Sequence, residues 1–436
     1  MTVPPGGGLR QGRVELTEEW FFRFLARKRK CHKVGRLNAW TRADKVRKGV
    51  MEMLAGENVM KAKPARAGLY VHFPFCRRKC PYCHFVSRIY DEKSFAAWRE
   101  GLALEASRRA GLGWEFDTLY LGGGTPSILS PSDVEDLRAM LAAHLKLAPV
   151  EFTIEANPSG DIDEAVLAGW IRAGVTRLSV GVQSFDDRIL AILGRDYSAA
   201  RARDFIRRAG GAGFAAIGLD LMVGVPGESR DALDKTLDEA AALSPDHASL
   251  YILENVEGLP FEAVVRADPV DDDEAADAFE AAAVRLESMG LRRYEISNFA
   301  RPGRECRHNL KYWRSEPFLG LGPSAGSRGD LERWTNLDSL EGWLDKLRAG
   351  EDSRQEIVAL GRDKAWREAL VVGLRLVRGI DLEVFRKRFG IDVGERFAED
   401  IEELRKDGFL IVERGTLRIP ENRQLVSNRI LSCFVE

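Results

Sequence analysis

The alternation of apolar and polar positions divides the chain into four stretches. From residue 67 to about 300, short segments rich in β-branched residues recur at 69–73, 118–121, 152–154, 177–182, 217–223 and 248–253, with helical periodicity between them. One intervening stretch, DIDEAVLAGWIRAG at 161–174, predicts a helix with Asp161 as N-cap. Val166, Leu167, Trp170 and Ile171 form its apolar face, and Gly174 ends it. Strand and helix in regular succession imply parallel strands, and about six such units predict a partial (βα)6-type barrel of the α/β class. Chemistry in such a barrel belongs at the C-terminal ends of the strands.

Residues 301–360 are different in texture, loop-rich with clustered aromatics and glycines, and read as a connecting segment. From 361 to 436 three helical patterns (KAWREALVVGLRL, DLEVFRKRFG, RFAEDIEELRKDG) precede two short strand signals, FLIVER and GTLRIP. That order predicts an α+β domain resembling a winged helix. Its charge is mixed, with no basic stripe, so it is expected to pack or to bind a partner, and no nucleic-acid partner is expected.

Residues 1–66 fit neither pattern. They carry 16 Lys/Arg against 6 Asp/Glu, about +10 within a chain of net charge −2, and include the run Arg27-Lys28-Arg29-Lys30 with Cys31 and His32. A nucleic-acid, membrane-surface or targeting arm is one reading. A solvated or disordered extension, with a true start at Met51, Met53 or Met60, is the favoured one. This N-terminus lacks the apolar core of a secretory signal, and no apolar run reaches membrane-spanning length, so a cytoplasmic protein is expected. Six cysteines among 436 residues, three of them crowded together, fit a reducing compartment and a metal site rather than a disulfide framework.

The crowded three are Cys76, Cys80 and Cys83, directly after the first strand. C-x3-C-x2-C has no second cysteine or histidine pair at zinc spacing, with His72, His84, Cys306 and His308 as the remaining candidates. Three clustered thiolates suit an iron–sulfur cluster with one iron left open. Each later strand ends in a motif of its own. The second ends in Gly122-Gly123-Gly124-Thr125-Pro126, where glycines admit close approach to the backbone. The third ends in Glu155-Ala156-Asn157-Pro158, the fourth in Gly181-Val182-Gln183-Ser184-Phe185, and the fifth at Asp220 within DLMVGVPG. A single polar residue in such a place is usually a satisfied core group. Several from successive strands beside a cysteine cluster point to a ligand pocket.

CRRKCPYC after YVHFPF, then GGGTP, IEANP, GVQSF and DLMVGVPG, resemble in this order the radical S-adenosylmethionine superfamily. Within it they are similar to the branch holding oxygen-independent coproporphyrinogen III oxidase and the heme chaperone HemW. The resemblance runs from about residue 67 to the C-terminus. It implies a 4Fe-4S cluster on Cys76, Cys80 and Cys83, whose open iron takes the amino and carboxylate groups of S-adenosylmethionine. It also implies cofactor contacts from Tyr70, Tyr82, Gly123, Gly124, Thr125, Glu155, Gln183, Arg195 and Asp220. In such enzymes one electron cleaves the sulfonium to methionine and a 5′-deoxyadenosyl radical.

Two features choose within the branch. The oxidase pattern has a fourth cysteine two residues after the third, and here that position is Phe85. His308-Asn309-Leu310-Lys311-Tyr312-Trp313 reproduces the HNxxYW motif of the chaperone. His308 is then the expected heme ligand, with Cys306 as the alternative. Where this subgroup usually has Asp after the third cysteine, this chain has His84. The resemblance thus implies a chaperone that binds heme and passes it to acceptor proteins such as respiratory hemoproteins. An electron donor and transient membrane contact through the acceptors go with it, and no catalytic residue is assigned. The alternatives are decarboxylation of coproporphyrinogen III, or another radical reaction on a tetrapyrrole, and binding of nucleic acid.

Overall fold

The computed structural model describes residues 66–435. The basic N-terminal run, Cys31, His32 and the alternative starts lie outside the described residues. Six parallel strands form the centre of the molecule, each pairing with the next. They are β1 (Arg66–Phe73), β2 (Glu115–Gly123), β3 (Lys146–Ala156), β4 (Arg177–Gln183), β5 (Ala216–Val223) and β6 (His247–Ile252). They coincide with the six segments read from the sequence, and helices cover one side of them, as expected of a radical SAM-type α/β fold.

Alternation along these strands separates two unlike faces. Leu69, Val71 and Phe73 of β1, Leu119 and Leu121 of β2, Phe152 and Ile154 of β3, and Leu178 and Val180 of β4 are all at most 1% exposed in one apolar core. Helices α1 (Glu92–Arg109) and α2 (Glu164–Arg172) bring Trp98 and Trp170 into it, both at most 1% exposed. Burying side chains of this size stabilises the fold by roughly 2–3 kcal/mol each. The alternate residues face the barrel interior and are polar or small. They are Tyr70 and His72, Thr118 and Tyr120, Glu151, Thr153 and Glu155, Arg177 and Ser179, Gly218 and Asp220, and His247 and Ser249. Register places them side by side, with Tyr70 opposite Tyr120, Glu155 opposite Ser179, and Asp220 opposite Ser249. A barrel filled only for packing would be apolar inside, so this interior is built for something polar.

The helix at 161–174 forms, but with a different cap. Asp163, not Asp161, accepts the Val166 N–H at 2.9 Å, and Asp161 pairs with Arg201. Gly174 ends the turn at φ 98°.

The sheet does not stop at the barrel. Strand β7 (Asn298–Ala300) adds antiparallel to β6. On the other side β8 (Phe318–Leu321) runs parallel to β1, and β9 (Gly326–Arg328), β10 (Glu332–Asn336) and β11 (Arg354–Ala359) follow antiparallel, completing twelve strands with a short one at 292–293. Helix α3 (Arg362–Gly373) opens the C-terminal unit, which continues with helices Leu382–Phe389 and Ala398–Lys406 and a three-stranded sheet in which Thr416–Arg418 is central. This is the winged-helix-like order read from the sequence. Its core holds Trp366, Leu370, Leu417 and Phe434. Glu368 of α3, itself buried, accepts from Arg328 at 2.8 Å and from Arg333 at 3.3 Å, tying this unit to β9 and β10. Among the described residues no helix is long and apolar enough to cross a membrane.

Candidate functional site

The chain leaves β1 into the cysteine segment and is held against the end of β2. Gly124 donates to the Phe73 carbonyl and Thr125 to that of Phe75, both at 2.7 Å. A Cβ on Gly124 would lie 2.5 Å from the Phe75 oxygen, and one on Gly123 (φ 114°) 2.6 Å from the His72 ring. The close approach these glycines permit is therefore made first by the chain itself, which seats the cysteines over the barrel mouth.

Cys76 is buried, and Cys80 and Cys83 are half-buried. Burial pushes the Cys83 thiol up to about 11 and raises that of Cys76 as well, so metal must displace their protons. Among the described residues no three His, Cys, Asp or Glu side chains converge on one ion position. Arg195 Nη1 donates to Cys80 Sγ at 3.1 Å, a charge-assisted contact suited to a thiolate or cluster sulfur. The three thiols and this donor fit a 4Fe-4S cluster.

Arg195 joins most of the expected pocket. Nη1 also reaches Tyr82 Oη at 3.4 Å, Nη2 donates to the Gly181 carbonyl at 2.7 Å, and Nε donates to Tyr197 Oη at 2.9 Å. Gln183 ends β4 at φ 64° beside a register shift, and its Nε2 lies at Gly181 next to Arg195. The bulge aims Gln183 into the mouth rather than along the strand. Glu155 accepts Gly123 N–H at 2.9 Å and Tyr120 Oη–H at 3.0 Å, and burial pushes its carboxyl up to about 7. Asp220 accepts from Ser179 at 3.0 Å and is also raised by burial. Burial disfavours the charged form of both carboxyls, and Glu155 has no cation beside it, so a cationic ligand is favoured there; a sulfonium bearing an amino group is one. Tyr70 Oη meets His72 Nδ1 at 3.0 Å on the inner face. An open cleft lined by Arg77, Arg78, Cys80, Thr125, Asn157 and Arg195 lies at this mouth.

His308 is elsewhere. It lies on helix α4 (Arg307–Trp313), 0% exposed, against Gly68 and Thr118 at the N-terminal ends of β1 and β2. Five residues of β1 separate Gly68 from Phe73, about 17 Å along the strand, so His308 and the cysteines occupy opposite ends of the barrel. Its Nδ1 meets Thr118 Oγ1 at 2.9 Å and its Nε2 meets Tyr312 Oη at 2.8 Å. Burial brings its pKa down to about 3, so the ring is neutral. Glu151 anchors the helix by accepting the N–H groups of Arg307 at 3.1 Å and His308 at 2.9 Å. Cys306 is also buried there, its thiol 3.6 Å from Glu151. Phe85 is exposed at the cluster loop, with the His84 ring stacked on it at 5.1 Å.

Reading the sequence missed Tyr120, Ser179, Tyr197 and Glu151. The first two are legible from strand alternation once Glu155 and Asp220 are placed. The other two have no local signal.

Fold and site together define a radical SAM protein. The radical SAM superfamily model matches residues 70–240, and the HemN C-terminal domain model matches 360–425. The chain is similar to the heme chaperone HemW of Mycobacterium tuberculosis, 34% identical over 365 residues, covering 80% of this chain and 92% of that protein. It is similar to the mitochondrial radical S-adenosyl methionine domain-containing protein 1 of Bos taurus, 33% identical, covering 81% and 84%. Among solved structures, coproporphyrinogen III oxidase (HemN) of Escherichia coli shares the fold, with TM-score 0.75 at 24% identity, covering 86% of this chain and 91% of that one. The chain belongs to the HemW family of the radical SAM superfamily.

Proposed function

We propose that this protein is a heme chaperone, which holds a 4Fe-4S cluster on Cys76, Cys80 and Cys83, binds S-adenosylmethionine at the barrel mouth, and carries heme to acceptor hemoproteins. The observation that carries the reading is the match to HemW over 92% of its length, joined to Phe85 where the oxidase pattern has its fourth cysteine. Bound at the mouth, the cluster would supply an open iron for the amino and carboxylate groups of S-adenosylmethionine. Arg195 would donate to the Cys80 sulfur and, with Tyr82 and Gln183, fix the near wall of the pocket. Gly123, Gly124 and Thr125 would line the methionine side, and Tyr70 would close the inner wall. Glu155 and Asp220 would balance the cofactor's positive charge, which dry surroundings strengthen.

Ligation of heme iron by His308 belongs to a state in which helix α4 has left the barrel floor, because in the closed arrangement both ring nitrogens are engaged. Cys306, the residue that precedes this helix, is the alternative ligand in that state. An electron donor, a cytoplasmic site of action with transient membrane contact through acceptors, and the domain division near residues 66, 300 and 360 are parts of the same proposal.

The test is anaerobic. The reconstituted protein is titrated with heme and then mixed with an apo-hemoprotein, and a parallel sample receives coproporphyrinogen III, reductant and S-adenosylmethionine. Stoichiometric heme binding followed by transfer supports the chaperone. Decarboxylated porphyrinogen without heme binding sinks it.

A further inference from the structure

The barrel floor carries polar groups that the cofactor site does not use. Arg177, His247 and Thr153 are 4%, 3% and 0% exposed, and all face the interior. Arg177 Nη1 donates to the Arg304 carbonyl at 2.8 Å, but its Nη2 has no partner. Thr153, directly opposite Arg177 on β3, has an unpartnered hydroxyl, and so does the Nδ1 of His247 on β6. Arg177 makes no ion pair with a described residue. Two carboxyls lie in its electrostatic reach, Glu151, which is engaged with the backbone of α4, and Asp220, which is hydrogen-bonded to Ser179.

Tyr294 Oη accepts the Cys306 N–H at 3.4 Å and lies 2.9 Å from His247 Nε2. In the tautomer where the tyrosine proton goes to Nε2, Nδ1 keeps the ring proton. All three orphaned groups can then donate, and one carries a full positive charge. Gly218 of β5 pairs with His247 on one side and Ser179 on the other, one interior position beyond Ala216, the partner of Arg177, and even a Cβ at Gly218 would come within 3.2 Å of His247 Nδ1. Three donors around a side-chain-free position exceed what the two lone pairs of one water can accept. A carboxylate offers about four acceptor sites and takes charge-assisted hydrogen bonds from a guanidinium.

We propose that Arg177, His247 and Thr153 form a carboxylate-binding site on the barrel floor, over Gly218, and that its ligand, on the chaperone reading above, is a propionate side chain of heme. The site lies at the same end of the barrel as His308, the iron ligand of that reading.

The test compares binding of heme and of heme dimethyl ester, whose carboxylates are blocked, to the reconstituted wild type, Arg177→Gln, Arg177→Lys and Gly218→Ala, with calorimetry of sodium propionate alone as a second probe. Wild type is expected to prefer heme over the ester by 10-fold or more. Arg177→Gln and the space-filling Gly218→Ala lose that preference, and Arg177→Lys keeps part of it. Far-UV circular dichroism and Tm identify variants that fail to fold, and Gly218→Ala leaves the charge in place should Arg177→Gln be one of them. An equal preference in wild type and both variants overturns the site, as does occupancy by water only, read as no propionate heat in wild type. If wild type binds propionate through Arg177 but no heme, the chaperone reading falls and the carboxylate site stands.

Discussion

The Arg195 guanidinium meets the Cys80 sulfur at 3.1 Å while its other nitrogens hold the Gly181 carbonyl and the Tyr197 hydroxyl. The cation is thus fixed by the barrel wall and aimed at the cluster loop. A donor to a cluster sulfur stabilises the more negative, reduced form and raises the potential. Arg195→Leu should lower the reduction potential of the reconstituted cluster by an amount on the order of 60 mV, the one-electron equivalent of a tenfold change. A redox titration followed by electron paramagnetic resonance measures it, and an unchanged potential would show the contact to be incidental.

Gly124→Ala places a methyl where only 2.5 Å separates the Cβ position from the Phe75 carbonyl oxygen. The cysteine segment must then lift from β2. Iron and sulfide per protein after reconstitution should fall several-fold, while the far-UV spectrum, set by the six strands and their helices, stays native.

Glu155 has its folded pKa raised to about 7 by burial. The folded state therefore binds more protons than the unfolded chain between about pH 4.5 and 7, and stability without ligand falls across that window as pH rises. Glu105 and Glu228 are shifted alike, so the difference between wild type and Glu155→Gln isolates this residue, with the variant less pH-dependent. Affinity for S-adenosylmethionine should strengthen as pH rises through about 7 in wild type and lose that rise in Glu155→Gln. Calorimetry at pH 6 and pH 8 checks both.

His308 has the opposite sign. Its folded pKa of about 3 lies below the ordinary 6.5, so the unfolded chain takes up the proton first and stability declines as pH falls from about 6.5 toward 3. His308→Ala removes that decline and both side-chain hydrogen bonds, at a cost of about 1–3 kcal/mol. Denaturant melts at pH 5 and pH 7.5 read the stability. The heme absorption of the same variant reads ligation: a loss of the wild-type Soret position assigns the iron ligand to His308, and an unchanged one leaves its role structural.

The strands and the motifs at their ends were legible because β-branched alternation and strand-end polar residues are local signals. The helix cap was misplaced by two residues because Asp161 and Asp163 offer the same chemistry at nearly the same spacing, and only Val166 N–H shows which one serves. The burial of His308 was not legible at all, since its partner Thr118 lies 190 residues away. Nor was the extension of the sheet by β8 to β11, whose short strands are interrupted by glycines and charges. Glu151 reads in sequence as an ordinary strand residue, and its capping of α4 exists only once 156 residues of chain have closed the barrel floor.

The most direct measurement of the central claim is heme transfer from the anaerobically reconstituted protein to an apo-hemoprotein, followed by the shift of the Soret band. The account predicts one heme bound per chain and its appearance in the acceptor, with no decarboxylation of coproporphyrinogen III. A protein that binds no heme, or that binds it and never yields it, while converting coproporphyrinogen III in the presence of S-adenosylmethionine, would contradict it.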